Sequence, residues 1–492
     1  MTSTTPPTRT AIVIGGSMAG MLAAAALSTW AQVTVIDHDV LPEGPTSRKG
    51  LPQGRHVHLL WSGGAAAIEA LLPGTMKRIH QDGVHKVPLP TGMVALSPEG
   101  WFRRWRESHY IITGSRDRID WHVREQVSTL PGVTILDRTD VLAFEGSAER
   151  VTGVRVRTAG ETADHTLTAD IVVDASGRSS RTPRWLTELG LPAPAERTVD
   201  AGLVYSSRIY RAPTDLGRFP VVINVQADPH SGGPGQSGVV VPIEDDQWLV
   251  TIAGTRGGEP TAENEDFADF AGSLRHPVVG HIVANAEPLT DVVLTRTTAN
   301  HRRFYEKASM PEGLIVIGDA AAAYNPVYGH GMSVAAKSAL AMKETISRYG
   351  WALPGMAHSV QKAIAKPVAE AWALSTGQDV FYSGATPDGP TGAEKAAAAY
   401  VRRLIRASTG SGRVARAVTD VMTLEKPAFP TLFAPDILLA ALRGPQRHQL
   451  TRPPLTTEER EAFFTPRPVP VATEPEPVPV SGDEREVEIL AL

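Results

Sequence analysis

Three glycines stand close together near the amino terminus, at Gly15, Gly16 and Gly20. They follow an apolar run at residues 11–14 and precede a second apolar run that ends at Asp37. Glycine tolerates positive φ and lets backbone approach a ligand closely, and the first turn of the following helix offers free N–H groups to a phosphate. A carboxylate after the second strand can accept hydrogen bonds from ribose hydroxyls. This spacing predicts a βαβ unit that binds the pyrophosphate and ribose of a dinucleotide.

The turn departs from the usual G-x-G-x-x-G pattern at its middle position, which is Ser17. Serine is small and its hydroxyl can donate to a phosphate, so a helix is still expected near Met18, with Ala19 in its first turn. Residues 11–36 carry no charge and Arg9 precedes them, which leaves a membrane helix or a signal peptide as alternatives. The glycines and polar residues that interrupt the run favour the nucleotide-binding interpretation.

The strands and helices that must position this turn divide the chain into segments. Short apolar strands alternate with helices before residue 200 and after residue 300, whereas several candidate strands follow one another between them. The predicted fold is α/β, with a Rossmann-like domain, an inserted antiparallel β-sheet substrate domain and a mainly helical carboxyl-terminal region. The expected boundaries are 1–200 and 301–350 for the Rossmann-like domain, 201–300 for the inserted sheet, 351–460 for the helical region and 461–492 for a Pro-rich disordered tail.

The composition of the 492-residue chain is that of an ordinary globular protein, with 42% hydrophobic and 21% charged residues. The formal net charge of −5 gives no basic footprint for a nucleic acid partner. The absence of cysteine excludes disulfides, thiolate metal sites and a cysteine nucleophile. No other stretch is long and apolar enough for a membrane span, and we expect a cytoplasmic protein.

Two later motifs narrow the choice of dinucleotide. Residues 174–181 read DASGRSSR after a buried strand, and Gly318 and Asp319 follow another. Residues 325–332, NPVYGHGM, then lead into an expected helix from Gly331. The order of the three motifs resembles the flavoprotein monooxygenase superfamily of the p-hydroxybenzoate hydroxylase fold. The resemblance implies that the cofactor is FAD and that the Rossmann-like domain is an FAD-binding domain.

The same resemblance implies which residues contact FAD. The glycine-rich turn holds the ADP half, Asp319 lies at the ribityl and pyrophosphate region, and Arg116 contacts the flavin from the side. The helix from Gly331 points its N-terminus at the flavin, where it stabilises negative charge. The expected cofactor-binding residues are Gly15, Gly16, Ser17, Met18, Ala19, Gly20, Asp37, His38, Arg48, Arg116, Asp319, Pro326, Gly329, Gly331 and Met332.

A narrower resemblance involves RKGLPQGRHVHLLW at residues 48–61, VVPIE at residues 240–244 and the NPVYGHGM segment. These segments are similar to actinobacterial flavin epoxidases of polyether-polyketide biosynthesis, the monensin epoxidase type. The resemblance implies a monooxygenase that epoxidises C=C bonds of a linear polyene polyketide through an FAD C4a-hydroperoxide. Its partners are then O2 and an apolar polyene, with electrons from NADPH or NADH or from a separate flavin reductase.

Epoxidation of an alkene requires no protein base, and the sequence identifies no catalytic residue and no metal site. His56 and His58 alternate in an extended segment, where they share a face, but no third ligand accompanies them. His330 either lines the flavin pocket or is a loop residue bonded to backbone. The alternative functions are an FAD-dependent hydroxylase of an aromatic or polyketide ring, a flavin-dependent reductase of isoprenoid double bonds, and a flavoprotein without catalysis.

Flavin halogenases share this fold and are expected to carry a W-x-W-x-I-P stretch. Trp101 and Trp105 have the wrong spacing for that stretch, and no other segment matches it. The sequence therefore argues against halogenation.

Overall fold

The computed structural model describes residues 9–48, 50–212, 221–296 and 298–464. The Pro-rich tail predicted for residues 461–492 lies outside this description from residue 465 onward. Residues 461–464 end a helix instead of beginning the tail, because Phe463 is buried there and its ring centroid lies 5.5 Å from that of Trp248.

Strands and helices alternate along the described chain. The strands are β1 (Thr10–Ile14), β2 (Gln32–Ile36), β3 (Leu59–Trp61), β4 (His85–Leu89), β5 (Met93–Ser97), β6 (Gly100–Trp101), β7 (His109–Thr113), β8 (Val133–Leu136), β9 (Thr139–Gly146), β10 (Val151–Thr158), β11 (His165–Thr168), β12 (Ile171–Asp174), β13 (Glu196–Val199), β14 (Val204–Arg211), β15 (Val222–Val225), β16 (Gln236–Ile243), β17 (Gln247–Gly254), β18 (Val293–Thr295), β19 (Asn300–Arg303), β20 (Leu314–Val316) and β21 (Ala322–Ala323). The helices are α1 (Met18–Leu27), α2 (Ser62–Leu71), α3 (Thr75–Gln81), α4 (Arg116–Ser128), α5 (Thr182–Glu188), α6 (Asp266–Ser273), α7 (Val278–Ala284), α8 (Gly331–Tyr349), α9 (Met356–Asp379), α10 (Gly392–Ser408), α11 (Gly412–Met422), α12 (Ala428–Thr431), α13 (Pro435–Arg443) and α14 (Thr457–Phe464).

Five parallel strands form the sheet that carries the glycine-rich turn, in the order β20-β12-β1-β2-β8. Alternate residues of β1 enter two hydrophobic clusters, so both faces of the sheet are covered. Ile14 at the end of β1 pairs with Asp174 of β12 and with Ile36 of β2. The carboxyl ends of these strands therefore meet at one edge, where the turn, Asp37 and the segment after β20 come together.

The second large sheet has the order β18-β14-β17-β16-β15-β5-β6 and is antiparallel except where β15 pairs with β5. Helices α6 and α7 cover one face of it, with Phe267 and Ile282 packed into the same cluster as Trp248. The sheet extends beyond the predicted 201–300 insertion, because β5 and β6 come from residues 93–101. Three smaller sheets, β3-β7-β4, β11-β10-β9 and β13-β19-β21, surround these two.

The carboxyl-terminal part of the described chain is mainly helical. Helix α8 packs against α1, α2 and α9, while α10, α11 and α13 share a separate small core around Leu404, Val414 and Ile437. The α/β class with its inserted sheet and helical carboxyl-terminal region is therefore confirmed. Among the helices of the described ranges, none has both the length and the apolar character needed to cross a membrane.

Candidate cofactor site

The turn after β1 requires glycine at two positions. Gly15 has φ +101°, and a Cβ there would lie 2.5 Å from the carbonyl oxygen of Ala175. A Cβ at Gly20 would lie only 1.8 Å from the carbonyl oxygen of Gly15, because helix α1 packs directly on the turn. These approaches leave no space for side chains, as expected of a backbone that closes around a phosphate.

Helix α1 presents an uncapped N-terminus at this turn. It begins at Met18, its first turn contains no acidic residue, and the Ser17 side chain caps none of its N–H groups. Ser17 has φ −92° and ψ −175°, an extended conformation that any residue adopts. The missing middle glycine therefore costs no backbone strain, and the N–H groups near Ala19 are available to an anion.

Asp37 is buried at the end of β2 and already accepts three hydrogen bonds. Its Oδ2 accepts from the Gly16 N–H at 2.6 Å and from Nη1 of Arg48 at 3.1 Å, and its Oδ1 accepts from the Asp39 N–H at 2.9 Å. A carboxylate has about four acceptor positions, so one remains on Oδ1. The His38 side chain, by contrast, is 67% exposed. Its Nδ1 lies 3.7 Å from Oδ1 of Asp37, which is too far for a hydrogen bond.

An open surface pocket of about 270 Å³ lies between the loop after β2, helix α4 and the end of β8. Its walls combine apolar and charged side chains, from Leu41, Pro42, Trp121, Arg124, Ile135 and Asp137. None of the residues predicted to contact FAD is among those that line it.

Arg116 brings a positive charge to the N-terminus of α1. It is the first residue of α4, whose N-cap Ser115 accepts from the Arg118 N–H at 3.3 Å. Nη2 of Arg116 donates to Oγ of Ser17 at 3.4 Å, and its Nε lies 2.9 Å from Oδ1 of Asp120. The guanidinium therefore adds to the field of the helix N-terminus where a phosphate would bind.

Asp319 lies in a short turn after β20, next to the same helix. Gly318 precedes it with φ +65°, and a Cβ on Gly318 would lie 2.6 Å from Cβ of Ala19. Within the described residues the Asp319 carboxylate receives no hydrogen bond. Burial raises its pKa, while the charges of Arg178 and Arg116 oppose the rise. A carboxylate without protein donors can accept hydrogen bonds from ligand hydroxyls.

The segment 325–331 leads into the N-terminus of helix α8. Pro326 begins a 3-10 turn, and Gly329 with φ +65° ends it against Leu59, whose Cβ would lie 3.1 Å from a Cβ on the glycine. Helix α8 begins at Gly331 without an acidic residue in its first turn, and a Cβ on Gly331 would meet no atom within 4 Å. Open space therefore borders the positive end of this helix. Met332 is buried in the core, so only its backbone can face that space.

His330 is a buried residue bonded to backbone. Its Nε2 lies 3.0 Å from the carbonyl oxygen of Met422, and its ring stacks on Trp61 with centroids 5.9 Å apart. Burial lowers its pKa to about 4. The neutral ring therefore donates through Nε2 at neutral pH, and Nδ1 has no partner in the described residues. Of the two roles that the sequence left open for His330, this geometry favours the second.

His56 and His58 do not point at a common ligand. His56 precedes β3 and is buried against the seven-stranded sheet, with Nδ1 2.7 Å from Oγ of Ser207 and Nε2 2.9 Å from Oγ1 of Thr295. His58 Nδ1 bonds the carbonyl of His56 at 2.8 Å. Burial, followed by nearby positive groups, lowers the pKa of each to about 3. Both rings are therefore neutral and hydrogen-bonded within the protein.

A cluster that sequence spacing did not anticipate combines His109, Asp420 and Glu425, whose possible ligand atoms lie within 4.8 Å of one another. Nε2 of His109 bonds Oδ1 of Asp420 at 2.9 Å, and Nζ of Lys426 bonds Oδ2 of the same carboxylate at 3.0 Å. His109 and Lys426 thus occupy both oxygens of the Asp420 carboxylate. A structural hydrogen-bond network therefore explains the cluster without a metal ion.

Three consecutive carbonyls at the carboxyl end of helix α11 join the helical region to the elements around this site. Besides Met422, Thr423 accepts from the Gly63 N–H at 3.1 Å, and Leu424 accepts from Nζ of Lys337 at 2.6 Å. No local pattern in the sequence marks these contacts, since the partners come from α2, α8 and the loop before α8.

Acidification is expected to destabilise the protein through its buried histidines. His56 and His330 have folded-state pKa values of about 3 and about 4, so the unfolded chain binds protons that the folded chain does not. Their contribution to the free energy of unfolding is complete above pH ~6.5 and is lost as the pH falls from there toward those values. Urea unfolding between pH ~7 and ~4 measures the slope. His56→Gln should flatten it, the exposed His38→Gln should not, and equal slopes in both variants would contradict the prediction.

Comparisons with known proteins agree with this geometry. The sequence profile of the FAD binding domain family FAD_binding_3 matches residues 8–350. "Protein Rv3254" of Mycobacterium tuberculosis (strain ATCC 25618 / H37Rv) is 31% identical over 390 residues, which cover 77% of this chain and 81% of that protein.

Solved structures share the fold at low sequence identity. The flavin-dependent brominase Bmp2 aligns with a TM-score of 0.61 and 16% identity, over 84% of this chain and 92% of its own. The p-nitrophenol 4-monooxygenase PnpA from Pseudomonas putida DLL-E4 aligns with a TM-score of 0.57 and 16% identity, over 85% and 98%. PqsL, a probable FAD-dependent monooxygenase from Pseudomonas aeruginosa, aligns with a TM-score of 0.56 and 16% identity, over 77% and 99%.

The glycines that exclude a Cβ, the donor-free Asp319 and the open N-terminus of α8 fit the phosphates, hydroxyls and flavin ring of FAD. The matched profile covers well over half of the chain, and the chain belongs to the FAD_binding_3 family of FAD-binding domains.

Proposed function

We propose that the protein is an FAD-dependent monooxygenase that epoxidises C=C bonds of a linear, apolar polyene polyketide in the cytoplasm. When bound, FAD would supply the redox chemistry of a monooxygenation, in which O2 and two electrons yield one epoxide oxygen and one water. NADPH or NADH, or a separate flavin reductase, supplies the electrons. In this proposal the fifteen predicted residues bind FAD, and the seven-stranded sheet roofs the substrate cavity opposite the flavin.

The observation that supports the choice of chemistry is the state of three histidines, one of which, His330, belongs to the 325–331 loop. His56, His58 and His330 have pKa values of about 3 to 4, and each has at least one ring nitrogen hydrogen-bonded within the protein. They are therefore poor bases at neutral pH. A phenol hydroxylase gains from a base that ionises the substrate, whereas an alkene reacts without one. The protein then has only to orient the alkene and exclude water.

The segment 55–61 is the part of the chain that joins the two walls of the proposed cavity. Its Val57 N–H donates to Oγ1 of Thr251 in the sheet at 3.1 Å, and its Trp61 N–H donates to Oγ of Ser333 in α8 at 3.0 Å. Val57 and Leu59 pack with Ile243 and Leu249 of the sheet. An apolar strip between the flavin-facing helix and the sheet suits a polyene better than a charged substrate.

The proposal is tested with a linear polyene, 18O-labelled O2, and either NAD(P)H or a flavin reductase. We expect products that carry one labelled oxygen for each double bond consumed and epoxide signals by NMR. An anaerobic reaction with the same components is the control and should give none. A labelled phenol from an aromatic substrate would favour the hydroxylase, and oxygen-independent saturation of the double bond would favour the reductase.

A further inference from the structure

A buried acid lies at the carboxyl end of helix α9, behind the loop that faces the proposed flavin position. Asp379 is the last residue of α9 and is 2% exposed. Its Oδ2 accepts from Nδ2 of Asn300 at 2.7 Å and from Nδ2 of Asn325 at 2.7 Å, and its Oδ1 accepts from the hydroxyl of Tyr328 at 2.8 Å. None of the sequence motifs includes this aspartate.

Two of the three donors belong to the loop itself. Asn325 precedes the 3-10 turn Pro326–Tyr328 and Tyr328 is its last residue, and helix α8 follows after Gly329. The third donor supports the same loop, because Oδ1 of Asn300 accepts from the Asn325 N–H at 2.8 Å. Asp379 therefore bonds directly to both ends of the turn, at Asn325 and at Tyr328. It also supports the Asn325 end indirectly, through Asn300.

Two further groups of the loop are also hydrogen-bonded. Oδ1 of Asn325 accepts from the Val327 N–H at 3.1 Å, and the carbonyl of Tyr328 accepts from Nε1 of Trp61 at 3.3 Å. A fully satisfied buried polar network of this kind fixes one conformation, because breaking any bond leaves a buried group without a partner.

Fold stability alone is a weak reason for a carboxylate at this position. Within the described residues, no cation lies within ion-pair distance of Asp379. Burial raises its pKa, and the three donors oppose the rise. A buried carboxylate that lacks a cation contributes less to stability than well-packed apolar side chains commonly do. The effect that we attribute to the Asp379 carboxylate is to set the position of segment 325–331.

We propose that Asp379 is a positioning residue of the FAD site, which fixes segment 325–331 and thereby the direction of the α8 N-terminus toward the flavin ring. The inference rests on the proposed placement of that ring beside Gly331. Asp379 acts through Asn325 and Tyr328 and does not itself touch FAD.

The test compares Asp379→Ala, Asp379→Asn and Tyr328→Phe with the exposed control Asp388→Asn. FAD affinity is measured by titration of FAD-free protein, together with the visible spectrum and midpoint potential of the bound flavin. We expect Asp379→Ala to weaken FAD binding about 10-fold or more and to shift spectrum and potential, because two loop donors lose their acceptor. Asp379→Asn should restore most of the loss, since its amide oxygen can accept from both asparagines while its NH2 donates to the Tyr328 oxygen.

Tyr328→Phe removes one of the bonds without touching the carboxylate and should give an intermediate shift. This variant and Asp379→Asn decide the matter if Asp379→Ala does not fold. Wild-type affinity, spectrum and potential in Tyr328→Phe and in folded Asp379→Ala would overturn the inference, as would an Asp379→Asn protein as impaired as Asp379→Ala. If the wild-type protein itself binds no FAD, the proposed function fails instead.

Discussion

Gly20→Ala is expected to weaken FAD binding strongly. The new Cβ would lie 1.8 Å from the carbonyl oxygen of Gly15, and neither atom belongs to a flexible side chain. Helix α1 must then move away from the turn between β1 and α1, which separates its free N–H groups from the phosphate position. Forced backbone shifts in packed regions cost roughly 1–3 kcal/mol, so we expect the FAD affinity to fall by about 5- to 150-fold. Flavin absorbance of the purified protein and FAD titration measure the effect.

Gly377→Ala is the matched control for this substitution. Gly377 lies inside helix α9, and a Cβ there would meet no atom within 4 Å. Alanine in a helix interior is favoured over glycine by roughly 0.5–1 kcal/mol, so this variant should keep FAD and gain slightly in thermal stability. A Gly20→Ala protein that is folded, yellow and of wild-type affinity would show that the turn does not contact the cofactor.

Asp319→Ala is expected to lower the FAD affinity without lowering the stability of the FAD-free protein. In the described structure the carboxylate receives no hydrogen bond, and burial raises its pKa, so its removal should leave the melting temperature of FAD-free protein unchanged or raise it. Bound FAD should lose an acceptor for its hydroxyls. A hydrogen bond to a charged group is worth about 1.5–3 kcal/mol, which corresponds to about 10- to 100-fold in affinity.

Calorimetry of FAD-free protein and isothermal titration with FAD measure the two effects separately. Asp319→Asn retains an acceptor oxygen and should fall between wild type and Asp319→Ala, while the exposed Asp388→Ala should match wild type in both assays. A lower melting temperature with unchanged FAD affinity in Asp319→Ala would assign the carboxylate to the fold and not to the cofactor.

Local patterns in the sequence were sufficient to predict the glycine-rich turn and the α8 segment. The contact that requires Gly20 lies within one βαβ unit, so spacing carries that information, whereas the contact that excludes a Cβ at Gly15 comes from Ala175, which is distant in sequence. Helix α8 begins at Gly331, where the sequence predicted its start. The lack of protein donors at the Asp319 carboxylate within the described residues, by contrast, depends on how distant segments pack. The spacing of residues in the sequence does not reveal it.

Contacts between distant segments could not be predicted in the same way. Strand β5 pairs with β15 through Met93 and Val222, so the inserted sheet recruits residues that its local sequence assigns to the first domain. Asp379 and Asn325 are separated by 54 positions, and both are buried. Their pairing follows from the packing of α9 behind the loop, and a lone aspartate at a helix end looks like any solvated acid in the sequence.

The carbonyls of Met422, Thr423 and Leu424 have a consequence for modular exchange between relatives. The family profile ends at residue 350, yet these acceptors beyond it hold His330, Gly63 and Lys337 inside the matched range. A hybrid protein assembled at that boundary would join helix α8 and its preceding loop to foreign acceptors. The structural unit that contains these contacts is therefore longer than the stretch by which the family is recognised, and we expect a crossover point after residue 424 to preserve them.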